Sequence, residues 1–198
     1  MKKHLVGIII LLILTSMAGI SMAELIHPIS IEYTGDANIT YYNKEKIIDG
    51  FIPQEYTFWQ TNTAYWWGTG GEFTIDYGKQ YIIKDILVSV DNNDDYKVDY
   101  SVDKSNWSNL FTIDKNYGEV WNGMDTMSTD SGHAEYITQI DFTPVTAQYL
   151  KIYATGGDNK YAVGEFQAYG SPVPVPGAVW LLCSGILGLI GVKRRIKN

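Results

Sequence analysis

The 198-residue chain has one cysteine, three histidines and, between Lys3 and Lys193, no arginine at all. A single thiol excludes an internal disulfide and any cysteine-built metal or redox site. Because Cys183 sits in the last apolar run, a folded part that needs a staple has only a metal held by oxygen ligands as the remaining option. Positive charge is equally restricted. Lys2 and Lys3 stand at the front and Lys193, Arg194, Arg195 and Lys197 at the back, while the middle has nine lysines against all 22 carboxylates, a net of about −13. Nucleic-acid binding needs clustered positive charge to displace counterions from phosphates, so that class is excluded. Catalytic signals are also missing. His27 and His133 are the only histidines after the first 23 residues, no nucleophile motif adjoins either, and no glycine-rich phosphate loop follows a strand. A carboxylate pair cleaves glycosides only at a defined separation, which sequence does not supply. The expectation is a protein that is not an enzyme.

What is present begins with two terminal addresses. Met1 to His4 is basic, Leu5 to Ile20 is uncharged and Ser21-Met22-Ala23 is small, which predicts a signal peptide over residues 1–23 and an exported middle. At the other end, residues 172–177 carry alternate prolines that remove amide donors and predict an extended spacer. Ala178 to Val192 then runs fifteen residues without a charge before Lys193-Arg194-Arg195-Ile196-Lys197. At 1.5 Å per residue this is about 22 Å, short against a hydrocarbon core of roughly 30 Å, and the basic stop argues that it spans. Residues 178–198 are therefore expected to form a single transmembrane helix with a cytoplasmic basic tail.

Between the addresses, no window keeps apolar residues at helical spacing for three turns, whereas many alternate with period two. Phe73, Ile75 and Tyr77 do so, as do Ile86, Val88 and Val90; Tyr96, Val98, Tyr100 and Val102; Tyr136, Thr138, Ile140 and Phe142; and Leu150, Ile152 and Ala154. Short alternating runs between Gly, Asn and Asp turns predict an all-β sandwich or barrel over residues 24–171. A domain of that size buries roughly 68% of its unfolded surface, enough to fold without disulfides.

Aromatic residues are the surplus: fifteen tyrosines, and five of the six tryptophans, lie in this domain. Sugars offer apolar C–H faces that stack on such rings, so loop aromatics are candidate glycan contacts. Tyr65, Trp66 and Trp67 head the set, because adjacent tryptophans on an extended segment cannot both point inward. Trp121 and His133, in the polar stretch from Asn116, and Asn159 with Tyr161 complete it. The run Asp91-Asn92-Asn93-Asp94-Asp95 is oxygen-rich but lacks the glycine and the twelfth-position glutamate of an EF-hand, and reads as a solvated turn, with a weak second Ca²⁺ site as the alternative.

The order Asp49-Gly50, Trp59, Ile75-Asp76-Tyr77-Gly78, Tyr100-Ser101-Val102-Asp103 with Trp107, Ala147 to Ile152, and Glu165 to Gly170 resembles the discoidin or coagulation-factor type C domain. The resemblance implies a galactose-binding-like jelly-roll sandwich used for binding glycans, lipids or proteins, with Trp59 and Trp107 in the core. It also implies one structural Ca²⁺ held by Asp49 and Glu165 with help from Thr57; two carboxylates plus loop carbonyls are an adequate oxygen cage. Galactose-specific relatives often use an arginine, which this domain lacks. Residues 173–198, from Val173-Pro174-Val175-Pro176 through the glycine-spaced apolar run to the basic end, resemble the PEP-CTERM sorting signals of Gram-negative bacteria in their Val-Pro-Leu-Pro-Ala variant. Val175 stands where the commonest form has glutamate and Gly177 where the variant has alanine. That resemblance implies recognition by an exosortase and residence at the cell surface or in an exopolysaccharide matrix. The functional expectation is a binding module for extracellular polysaccharide; the alternative is a structural matrix or adhesion protein that binds another protein.

Overall fold

The computed structural model describes residues 23–36 and 38–174. The expected signal peptide, apart from Ala23, and the expected transmembrane helix and basic tail lie outside the described residues. So does the end of the spacer. The described chain is all-β, with ten strands: β1 (Glu24–Ile26), β2 (Ser30–Gly35), β3 (Tyr41–Tyr42), β4 (Ala64–Trp67), β5 (Gly71–Asp91), β6 (Asp95–Ser101), β7 (Ser108–Ile113), β8 (Met124–Ser128), β9 (Val145–Gly156) and β10 (Lys160–Pro172). Two single 3-10 turns, Lys44–Ile48 and Thr138–Ile140, interrupt them. Among the described residues no helix is long and apolar enough to cross a membrane.

The period-two runs become strands because each buries one face. Phe73, Ile75, Ile86, Val88 and Val90 are fully buried, as are Leu150 and Ile152. The first two runs belong to one 21-residue strand, β5, where the sequence alone shows two separate groups. Its ladder with β9 breaks between Asp76 and Tyr81, where Gly78 takes φ +74° and donates its N–H to Asp76 Oδ1 at 2.6 Å. A left-handed residue suits glycine, and the bulge re-aims the strand. Before the break β5 carries β2 and β9, with β6 and β7 beyond; after it β9 stays paired only through Tyr81–Ile83, and β5 carries β8 and β10, with β4, β3 and β1 beyond. One strand thus serves two layers. Between them lies a single apolar core including Trp66, Phe73, Tyr96, Tyr161 and Phe166. Complete burial of such a side chain is worth roughly 1.5–3 kcal/mol.

Two expectations need correction here. Tyr136 to Phe142 is not a strand. Ile140 is buried but Thr138 is exposed, and the 3-10 turn places Ile137 and Ile140, three apart, toward the core. A three-residue period won over an accidental two-residue one. The domain also ends later than residue 171, since Pro172 pairs with Tyr81 at the end of β10, a position where a missing amide donor is tolerated.

Candidate functional site

Five connections meet at the end of the sandwich where β4, β5, β7 and β9 finish and β6, β8 and β10 begin. Tyr56 N–H donates to Met124 O at 3.0 Å and Met124 N–H to Thr57 O at 2.9 Å, laying the 54–59 segment against the start of β8. Asn92 N–H donates to Gly123 O at 3.0 Å, and the Asn92 side-chain amide to Tyr117 O at 2.8 Å and to Val120 O. Asp158 N–H donates to Asp94 Oδ1 at 2.9 Å, Lys115 N–H to Asp95 Oδ1 at 2.9 Å, and Gly68 N–H to Asn159 O at 3.3 Å. The run Asp91 to Asp94 is therefore no solvated turn. Asp91, Asn92 and Asp94 are buried because their polar atoms hold the surrounding loops in place.

These loops enclose a groove of about 320 Å³ lined by Tyr56, Phe58, Trp59, Asp91, Asn93, Asn122, Gly123, Asp158 and Lys160. Tyr56 and Phe58 are each 61% exposed. Trp59 forms the floor and continues into a surface cluster. Its ring lies 5.5 Å from Tyr65 and 5.7 Å from Trp67, both edge to face, and Tyr42 stacks on Tyr65 at 4.8 Å. Tyr65 and Trp67 leave β4 on the outer face, while Trp66 between them turns inward against Phe73 and Tyr161.

The polar wall is acidic. Burial and the neighbouring charge of Asp158 push the Asp91 carboxyl up to about 6. Behind it, burial pushes Asp94 up to about 7. Asn93, with its amide nitrogen turned toward Asp91, donates to both carboxylate oxygens at 3.1 and 3.2 Å. Lys160, opposite Trp67 in the β4 and β10 ladder, stands 3.7 Å from Asp158 and is the one cation among the described groove residues. The lining thus combines aromatic rings with carboxylates, amides and an ammonium, the residue types that can meet apolar C–H faces and hydroxyl groups.

The sequence candidates are distributed unevenly over this geometry. Tyr65 and Trp67 lie in the aromatic cluster, and Asn159 sits on the loop that supplies Asp158 and Lys160. Trp121 is 81% exposed beside Asn122, lining an adjoining hollow of about 360 Å³ that shares Asn93 with the groove. His133 lines a different hollow with Pro53, Thr126 and Glu135. Trp66 and Tyr161 are fully buried core residues and cannot touch a ligand: both pack between the layers, Tyr161 against Trp66 and Tyr96. Trp59 and Trp107 depart from their expected core places. Trp59 is the groove floor, and half-buried Trp107 lies under the Lys151 ammonium, 4.6 Å from its ring centroid.

The expected calcium residues divide. Gly50 N–H donates to Glu165 Oε2 at 3.0 Å, so the Asp49-Gly50 turn and the last strand do meet. Glu165 is almost wholly buried, and burial raises its carboxyl to about 7. With Ile48, His27 and Gln167 these residues line a small hollow of about 180 Å³. The Asp49 carboxylate, however, accepts from Lys46 Nζ at 2.8 Å and from Phe51 N–H at 3.0 Å, and Thr57 belongs to the Met124 corner. The turn and Glu165 are thus adjacent, while the Asp49 carboxylate is engaged by Lys46 and Phe51.

Searches found no family model and no curated protein that match the chain. Among solved structures it is similar to the CBM32 of AlyQ in complex with 4,5-unsaturated mannuronic acid, at 15% identity and TM-score 0.49, covering 73% of this chain and 97% of that one. It is also similar to a chitosan-binding module of a Paenibacillus sp. IK-5 chitosanase/glucanase, at 17% identity and TM-score 0.45, covering 73% and 96%. A pectin-binding module is similar at 21% identity and TM-score 0.41, covering 78% and 96%.

Proposed function

We propose that the chain is a non-catalytic module that binds polysaccharide outside the cell, in the groove over Trp59. The observation that carries this is that exposed Tyr56 and Phe58 line one groove together with Asp91, Asn93, Asn122, Asp158 and Lys160. Rings on loops held by a rigid sandwich lose little conformational freedom on binding, which suits weak ligands with repeated units. The adjoining hollow beside Trp121 lengthens the path along which a polymer can lie. Export through the signal peptide, and membrane retention with exosortase sorting through the tail, belong to the same reading; their support is the order of the terminal segments. Ca²⁺ at Glu165 and the Asp49-Gly50 turn is the proposed staple.

The test is an array of neutral, amino and uronic polysaccharides probed with the purified protein, with and without chelator. Saturable binding to one class supports the reading. Silence across the array with calcium present favours the alternative, a matrix protein that binds protein.

A further inference from the structure

The groove over Trp59 has a charge of its own. Asp91 closes β5 opposite Met124 of β8 and is only 2% exposed, yet it lines the groove. Burial first, and then the charge of Asp158, raise its carboxyl to about 6; the Gly123 N–H and the Lys160 ammonium oppose this without cancelling it. Asp158 is held in place by the fold. Its N–H donates to Asp94 Oδ1 at 2.9 Å, and its own Oδ1 accepts from Lys160 N–H at 2.9 Å. Lys160 Nζ stands 3.7 Å from Asp158 Oδ2 with both side chains about half exposed, so water weakens that pair. Two carboxylates therefore face one ammonium in the lining. The adjoining hollow does not redress the balance, since it holds one of each, Lys115 and Glu119. The rings act in the same direction. The faces of Tyr56, Phe58 and Trp59 carry negative electron density, which attracts a cation and repels an anion. The fold already makes such a contact where Lys151 lies over Trp107. Around all of this, nine lysines against 22 carboxylates give the domain about −13, a field that steers cations inward and anions away.

We propose that the groove selects amino sugars: its ligand is a polysaccharide whose units carry free amines, with ammonium groups met by Asp91 and Asp158 and ring faces met by the aromatic residues. This rests on the proposed glycan reading and narrows it to one class. An ammonium has three N–H donors and no acceptor, which matches a lining rich in carboxylate and amide oxygens. N-acetylation removes that charge, and a uronic acid reverses it. A carboxylate brought against Asp91 and Asp158 meets like charge, so the same two residues that attract amines exclude uronates.

The experiment is calorimetric titration of three hexasaccharides into the purified full-length protein: β-1,4-linked glucosamine, its fully N-acetylated counterpart, and galacturonic acid. The pH is set just above the Asp91 value of about 6, so that its carboxyl is largely ionised while sugar amines still hold protons. The glucosamine hexamer should bind at least about tenfold more tightly than its acetylated counterpart, and the galacturonic hexamer most weakly. Added salt should shrink the preference. Asp91→Asn and Asp158→Asn should each lower the glucosamine-to-acetyl ratio at least about threefold. Asp158 is exposed, so its variant should fold. Glu45→Gln changes the net charge equally at an exposed residue outside the lining, and should leave the ratio as in wild type. Equal affinity for the free and acetylated hexamers, tighter binding of the galacturonic hexamer, or an unchanged ratio in both aspartate variants overturns the selection. Silence of the glucosamine hexamer while the array shows binding to a neutral or uronic polysaccharide rejects the amino-sugar class and keeps the glycan reading; silence of hexamers and array together rejects both.

Discussion

Trp59 and Trp67 meet edge to face with ring centroids 5.7 Å apart, although one leaves a loop and the other the end of β4. Such a contact is worth roughly 0.5–1.5 kcal/mol beyond the area it buries. It ties the Trp59 side of the groove to the sheet, so the shape of the groove is set by the fold itself. Replacing Trp67 by Ala should loosen Trp59 and reduce polysaccharide affinity several-fold while leaving most of the stability, since Trp67 is 39% exposed. Intrinsic tryptophan fluorescence and chemical unfolding of the same variant separate the two effects.

Gly123 makes the wall behind Tyr56 possible. Its φ is +97°, and a Cβ there would stand 2.9 Å from Thr57 O. Gly123→Ala should cost more than about 1 kcal/mol, through strain at positive φ and displacement of the 54–59 segment. Urea unfolding measures the cost. An unchanged midpoint would show that the segment does not rest on this corner.

Asp91 and Asp94 give the domain a pH dependence of definite sign. Both carboxyls titrate higher in the folded protein than their ordinary value of 3.8, at about 6 and about 7. Between the unfolded and folded values the native state holds more protons than the unfolded chain, so stability rises as pH falls from about 7 toward 4. Each tenfold displacement in acidity is worth about 1.4 kcal/mol. Asp94→Asn keeps an acceptor for Asp158 N–H and removes the charge. It should melt higher than wild type at pH 8 and show a flatter profile between pH 7 and 5. A wild type most stable at pH 8 contradicts the assignment.

The calcium proposed at Glu165 has its own signature. Glu165→Gln keeps an acceptor for Gly50 N–H and loses the charge. Its unfolding free energy should respond less to calcium than that of wild type, by up to about 2.7 kcal/mol at a hundredfold excess over Kd. An identical calcium response in both proteins removes Glu165 from the account.

Much of the fold was legible because burial imposes a two-residue period wherever a strand has one wet face. It failed where another spacing competed, as at Ile137 and Ile140, and where a bulge at Gly78 joined two runs into one strand. The site was legible only in part. Tyr65 and Trp67 could be found because Trp66 must alternate with them, but the same argument does not say that Tyr161 points inward with it. Tyr56, Phe58 and Trp59 carry no period at all, and their exposure depends on the Met124 corner, 65 or more residues further along the chain. Asp91 and Asp158 were invisible as groove residues among 22 carboxylates, since only the loops meeting at the end of the sandwich bring them together.

The groove itself is tested most directly by calorimetric titration of the polysaccharide selected on the array into wild type, Trp59→Ala and Trp107→Ala. Trp107 is also a half-buried tryptophan, but it lies under Lys151 and takes no part in the groove. If the trough over Trp59 is the binding site, Trp59→Ala loses at least tenfold in affinity, about 1.4 kcal/mol, while Trp107→Ala binds as wild type does. Equal affinity in wild type and Trp59→Ala, with both proteins folded, would contradict it.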